Sequence, residues 1–399
     1  MKRSKLLDLT SLSKELLLQV ELLKFDSLDE MNKDLFKKID WDEFLASTLH
    51  HRTFCTLYRK VKLLNGEHIP DKVIRKLEIL YKKNIYKMLH LSAEMDRINK
   101  LMIKENIKFL LLKGPALAKE LYGDISLRTS CDIDLLVRID ELENIDVILQ
   151  NEGYIKNDYI RSILNDWKWR HHHVTYFHPV KEVKFEVHWR LNPGPASEPS
   201  FNDLWERRQI SALTHTPLYM LGNEDLFMFL STHGARHGWS RLRWLLDIHQ
   251  MLMKENVKLE ILKKIAEKHQ TKHLLGQAIR LSYELFNYQK IKYFVELSNN
   301  KHALYLARKS IFYLENKVNL HTYPVPEDIS SYHKNYLFKL KTPIQKFIFF
   351  LSFFYPYPED QDILPLPKKL HFLYFPLRPV LWLWNKARPG AQTLKGDIK

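Results

Sequence analysis

LKGPALAKELYGDISLRTSCDIDLLV, residues Leu112–Val137, is the stretch whose reading decides the fold. The apolar run Ile107 to Leu112 predicts a strand that stops at Lys113-Gly114-Pro115, and Ala116 to Tyr122 predicts a short helix after it. Pro115 suits a first helical turn, where its missing N–H has no partner to lose. Gly114 allows close backbone approach to a phosphate, and the helix start behind it supplies N–H donors and a positive dipole end. Asp132 to Val137 predicts a second strand. Asp132 and Asp134 stand at i and i+2, so their side chains leave one face of it. Two carboxylates on an apolar strand are costly unless a cation or polar partner satisfies them. Mg²⁺, with Mn²⁺ as an alternative, suits such a pair because it takes hard oxygen ligands and keeps room for phosphate oxygens. Lys113 and Arg128 carry the positive charge that would meet a triphosphate or a leaving pyrophosphate. The segment is not a Walker A loop, since the glycine spacing is wrong.

Working outward, Glu141 to Glu152 predicts a helix ending at Gly153. Val174 to Phe177 and Val183 to Trp189 predict a hairpin turning at His178-Pro179. Glu186 lies mid-strand in this hairpin and is the expected third acid. The order β-α-β-α-β-β implies a small mixed sheet with helices packed on it, an α+β core spanning residues 106–195. Residues 1–105 are expected to be helical. Asp40 is a helix N-cap with Glu43 at the capping-box spacing, Asn65-Gly66 is a turn, and Pro70-Asp71 opens a long helix to about Glu105. Its apolar residues Ile74, Leu77, Leu80, Tyr81, Met88, Leu91, Met95, Ile98 and Met102 recur every three or four positions and read as a core stripe. Asn192-Pro193-Gly194-Pro195 leads to a second helical region at 196–320. A Pro- and aromatic-rich tail, 321–399, is expected to pack on those helices.

Composition narrows the class. Hydrophobic residues make up 45% and charged residues 27% of the 399, an ordinary globular balance. Cys55 and Cys131 are too few for a disulfide framework, which points to a reducing compartment. The longest apolar run, Phe347 to Tyr355, falls well short of the roughly 20 residues a spanning helix needs. A cytoplasmic location is therefore expected. The net charge of +15 fits a lysine-rich solvated surface or attraction to polyanions such as nucleoside triphosphates.

The pattern L-K-G-x-A-L, then Leu121-Tyr122, then Arg128 before Asp132-Ile133-Asp134-Leu135-Leu136-Val137, then Glu186 ahead of His188-Trp189-Arg190, resembles the uncharacterised nucleotidyltransferase family of the DNA polymerase β-like superfamily. His233-Gly234-Ala235-Arg236-His237-Gly238-Trp239, with Leu242 to Ile248 after it, resembles that family's C-terminal helical motif. The resemblance runs from about Trp41 to Pro379. It implies a nucleotidyltransferase-fold sheet flanked by N- and C-terminal helical regions. It also implies ATP or another NTP as donor, transfer of a nucleoside monophosphate to an acceptor, and release of pyrophosphate. Carried over by position, Asp132, Asp134 and Glu186 are the catalytic and metal-binding acids, and Lys113, Gly114 and Arg128 the phosphate-binding residues. The superfamily that the resemblance implies has a Gly-Ser pair contacting phosphate, where this chain has Pro115 after Gly114. A non-catalytic nucleotide- or partner-binding protein with a degenerate fold is the alternative. So is a tailoring enzyme of peptide or polysaccharide biosynthesis, and the acceptor class stays open among small molecule, peptide, glycan and protein.

Five histidines, His171, His172, His173, His178 and His188, crowd the hairpin. Consecutive residues on a strand point to opposite faces, which argues against a converging zinc site. They are expected as polar residues near the cleft, with His188, on the Glu186 face, as a substrate contact. His233 and His237 share a helix face, and with Arg236 they are further substrate-contact candidates beside Trp239 and Trp244. In the tail, Phe347 to Leu351 and Leu381 to Trp384, with Lys368, Lys369, Arg378, Lys386 and Arg388 nearby, fit either packing on the helices or peripheral contact with a membrane surface.

Overall fold

Ile133–Val137 is apolar on both sides apart from Asp134, and a strand of that composition belongs in the middle of a sheet covered on both faces. The computed structural model, which describes residues 7–25, 30–64, 68–157, 160–287, 291–322 and 324–387, places it there. Seven strands form one mixed sheet: β1 Phe109–Leu111, β2 Ile133–Val137, β3 Ile155–Lys156, β4 His173–His178, β5 Val183–His188, β6 Gln209–Ile210 and β7 Tyr219–Met220. Their spatial order is β3-β4-β5-β2-β1-β7-β6. β2 runs antiparallel to β1 and parallel to β5, and β1 runs parallel to β7. The predicted hairpin is β4–β5, in register from His173↔His188 to His178↔Val183. β6 and β7 extend the sheet beyond residue 195; two-residue strands leave too short an alternation to read from sequence.

The N-terminal helices are α1 Lys14–Lys24, α2 Trp41–His51, α3 Phe54–Leu63 and α4 Asp71–Lys104. Asp40 caps α2, accepting from Asp42 N and Glu43 N, while Asn65-Gly66 lies outside the described residues. α4 buries Leu77, Met88, Leu91, Met95, Ile98 and Met102 as its spacing predicts, and also Asn84, Glu94 and Asn99. Each buried polar group has partners, as burial requires. Asn84 donates to Ser126 O and Arg128 O, and Asn99 donates to Pro217 O. Glu94 accepts from Arg97, Tyr154 and Lys181. The long helix is thereby fixed to the loop between α5 (Pro115–Tyr122) and β2 and to the hairpin turn.

α6 Leu142–Asn151 ends at Gly153, whose φ of 87° suits a residue without Cβ. α7 Trp167–Arg170 and α8 Phe201–Glu206 flank the cis Gly194–Pro195 bond. The C-terminal helices are α9 Asn223–Arg236, α10 Leu242–Lys254, α11 Leu259–Lys268, α12 Lys272–Phe286, α13 Val295–Ser298 and α14 Lys301–Glu315. Leu226, Phe227, Phe229, Leu245, Ile248, Leu275 and Ile279 join them to the core that contains the sheet. The tail forms α15 Glu327–Lys339, α16 Pro343–Leu351, α17 Pro358–Ile363 and α18 Tyr374–Ala387. α15 lies on α12 and α14, where Tyr336 OH accepts from Gln277. Farther on, the tail rests on the 160–170 segment: Tyr355 OH donates to Leu164 O, Arg170 donates to Tyr355 O and Pro356 O, and Ile163 packs with Tyr374 and Leu381. No described helix is long and apolar enough to cross a membrane.

Candidate active site

The parallel pairing of β2 with β5 sets Asp134 directly beside Glu186. Two like charges at such a position repel unless something positive lies between them. Lys113, leaving the end of β1, places Nζ 3.0 Å from Asp134 Oδ1. His188, two positions along β5 from Glu186, has Nε2 3.3 Å from the same oxygen and 3.7 Å from Glu186 Oε2. Lys184, two positions before Glu186 on the same face, sits 2.7 Å from Glu186 Oε1 and 3.1 Å from Asp132 Oδ2. The three acids predicted from the sequence are thus gathered at one end of the sheet, and Lys184 ties Asp132 to Glu186.

Electrostatics keeps Asp134 and Glu186 charged. Burial alone would raise the Asp134 carboxyl, but the Lys113 ammonium and the His188 hydrogen bond bring it below its ordinary value. Burial opposes ionisation of Glu186 too, and His188, His173 and Lys113 overcome it and hold the carboxyl well below the usual range. His188 and Lys184 are pushed the other way. Desolvation disfavours their charged forms, yet Asp134 and Glu186 raise His188, and Asp132 and Glu186 raise Lys184. Asp134 Oδ2 is buried with no hydrogen-bond partner. A fully buried carboxylate oxygen facing other acid oxygens is a ready ligand for a hard cation. Asp134, Glu186 and His188 each bring a ligand atom within 4.8 Å of one another.

Gly114 adopts φ 86° and ψ −154°, a backbone open to glycine, and α5 starts from it with no side chain capping the first N–H groups. Leu112 N donates to Asp134 O, which locks the turn to β2. The Lys113-Gly114 corner and the start of α5 therefore border the acids, as the sequence implies.

Arg128 is a correction. Its side chain is 1% exposed and paired with Asp247. Nε lies 3.0 Å from Asp247 Oδ1, Nη2 lies 3.0 Å from Oδ2, and Nη1 reaches Thr129 O. Tyr122 OH donates to the same carboxylate. The Asp247 carboxylate neutralises the guanidinium charge that a phosphate would otherwise meet. Asp247 was visible in the sequence, but 119 residues separate it from Arg128, so no spacing linked the two.

The histidine expectation also needs correcting. His172 precedes β4, so the alternation of a strand does not apply to it. His172, His173 and His188 bring one ligand atom each within 4.8 Å of one another. His171 and His178 are not among them. Burial, with Arg236 next, holds His172 far below its ordinary value, and burial with His188 lowers His173 to about 3. The His233 and His237 rings meet tilted at 4.6 Å and pack on Trp244 at 5.6 and 5.2 Å. Both are half-buried, desolvation holds them well below their ordinary value, and they belong to neither of the metal-compatible groups among the described residues. Arg236 does approach the site: Nη1 is 3.5 Å from His172 Nε2, and its Nε is buried without a partner. Burial lowers this guanidinium to about 10, offset in part by Glu186. Gly234, one turn behind Trp239, is needed because a Cβ there would lie 2.3 Å from the indole.

Lys184 is the residue that sequence reading missed. The period-2 pattern Lys184, Glu186, His188 was available as its signal.

A family model described as "Uncharacterised nucleotidyltransferase" matches residues 37–287, more than half of the chain. The chain is also similar to the crystal structure of an antigenic nucleotidyltransferase-like protein from Paracoccidioides brasiliensis. The identity is 16%, the match covers 54% of this chain and 93% of that one, and the TM-score is 0.29. No curated protein matches.

Proposed function

We propose that this chain, which belongs to the uncharacterised nucleotidyltransferase family, transfers a nucleoside monophosphate from an NTP such as ATP to an acceptor and releases pyrophosphate. The observation that carries this reading is the registered Asp134–Glu186 pair, with an unpartnered buried oxygen on Asp134, beside the Gly114 turn. Asp132, Asp134 and Glu186 would hold Mg²⁺ or Mn²⁺, which when bound supplies charge stabilisation for the reacting phosphate oxygens. Glu186, held ionised, completes the acid set. Lys113 and the start of α5 meet the phosphates from one side. Arg236 takes the phosphate role first assigned to Arg128, because its buried Nε still lacks an acceptor. His188 positions Asp134 through a hydrogen bond and faces Glu186 as a charge partner 3.7 Å away. Asp134→Asn should abolish divalent-metal-dependent transfer of label from an NTP while leaving the circular dichroism spectrum unchanged; retained transfer would sink the assignment.

A second reading is favoured by a specific observation. Lys184 already bridges Asp132 and Glu186, and Pro115 stands where the superfamily that the sequence resembles has serine. On that reading the fold binds a nucleotide or a partner without turning it over. Calorimetric titration separates the two: NTP binding that does not depend on Mg²⁺, with no product formed, supports the degenerate form.

A further inference from the structure

α16 carries Pro343, Ile344, Phe347, Ile348, Phe349, Phe350 and Leu351 among its nine residues, and none of its side chains is buried. An apolar helix whose only partly buried apolar side chain is Phe349 leaves most of its hydrophobic surface in water. The surface does not stop there. Phe349 meets Phe338 at 6.5 Å and Phe353 at 5.0 Å, Phe350 meets Phe354 at 5.7 Å, and Tyr355 meets Phe375 of α18 at 5.2 Å. On α18, Val380, Trp382, Leu383 and Trp384 are all exposed. Single exposed apolar residues are ordinary, but a connected run of this extent marks a docking face.

The charge around it says what docks. Residues 338–387 contain seven Lys or Arg and three Asp or Glu. Two of the acids are already matched, Asp360 by Arg378 and Asp362 by Arg161. The ammonium groups lie among the aromatics: Lys341 is 4.9 Å from the Phe349 ring, Lys346 is 5.1 Å from Phe338, and Lys386 is 4.2 Å from Trp382. Lys368 and Lys369 stand exposed beside Leu370 and Phe372. Phe, Trp and Leu interleaved with Lys suit the boundary between acyl chains and anionic headgroups, where rings sit at headgroup depth and lysine stems reach phosphate. A second copy of this chain would bring the same lysines against themselves.

We propose that residues 338–387 dock the protein peripherally on an anionic lipid bilayer, with α16 and α18 lying in the interface and the lysines on headgroup phosphates. The face is tied to the segment that leads into β4 by Arg170, which donates to Tyr355 O and Pro356 O and immediately precedes His171–His173. Docking stands independently of the nucleotide chemistry and is read without it.

The test is co-sedimentation of the full chain with phosphatidylcholine vesicles and with vesicles containing phosphatidylglycerol. Binding should favour the anionic vesicles by at least about tenfold and fall with salt, since each juxtamembrane lysine adds favourable energy at an anionic surface. Phe347→Glu/Phe350→Glu and, separately, Lys368→Glu/Lys369→Glu should each lose at least about tenfold. All four positions are exposed, so thermal melting should be unchanged. Should the phenylalanine variant melt early, the lysine variant reads the interaction alone. Absence of sedimentation, or equal binding to both vesicle types, overturns the proposal. So does a concentration-dependent dimer that the phenylalanine substitutions abolish, which would assign the face to a second copy.

Discussion

Arg128→Met separates a structural guanidinium from a phosphate-binding one. The Asp247 side chain is 1% exposed and takes its charge balance from Arg128 through bonds of 3.0, 3.1 and 3.0 Å. Methionine fills much of the same volume without the charge, leaving a buried carboxylate with the Tyr122 hydroxyl as its donor. Breaking a buried pair from one side costs about 3–5 kcal/mol, because the remaining charge loses its counter-ion where water cannot replace it. Arg243, bonded to Thr129 and within the field of Asp247, should hold the loss toward about 3 kcal/mol. The assay is urea denaturation of the wild type, Arg128→Met, Asp247→Asn and the double variant. Asp247→Asn in the Arg128→Met background should return stability rather than remove more, giving a coupling energy of about 2 kcal/mol or more. A loss below about 1 kcal/mol, or unchanged stability with weakened NTP binding, would refute the reasoning and restore Arg128 to the cleft.

Lys184→Met should tighten Mn²⁺ binding about tenfold in calorimetry, since the cation no longer displaces an ammonium from Asp132 and Glu186; unchanged affinity would show that the two do not compete. Gly234→Ala should cost about 1–3 kcal/mol of stability through overpacking against Trp239, read as a lowered denaturation midpoint. Stability should also fall steeply below pH 6.5. Burial holds His51, His233 and His237 neutral in the fold, while the unfolded chain takes up their protons near 6.5. Their contribution is therefore present above that pH and lost beneath it, at about 1.4 kcal/mol per histidine per pH unit. His188, raised in the fold, works in the opposite sense, and its contribution is complete below 6.5. A flat denaturation midpoint between pH 7.5 and 5.5 would contradict this.

The β2 stretch was legible because its chemistry is local. Lys113-Gly114-Pro115 signals a strand-to-helix corner, and two acids in an apolar run have few physical readings. Glu186 was legible because apolar neighbours mark its strand, and parallel pairing with β2 then set it beside Asp134. The pairing of Arg128 was not legible because its partner Asp247 lies on α10, 119 residues away, and only tertiary structure brings the two together. His172 and His173 were misread because the strand starts at His173, one residue too late for alternation to govern the pair. Lys184 could have been found from its position two residues before Glu186. The exposure of α16 could not, since an apolar run of that length reads equally well as core.

The most direct measurement is a pair of reactions with NTP labelled either at the α-phosphate or at the γ-phosphate, Mg²⁺ or Mn²⁺, and cell lysate as acceptor source. α-Label should move to the acceptor and γ-label should appear as pyrophosphate, and both should vanish with EDTA and in Asp134→Asn. Transfer of the γ-label, or no transfer of either label with any of the four NTPs, would contradict nucleotidyl transfer by this chain.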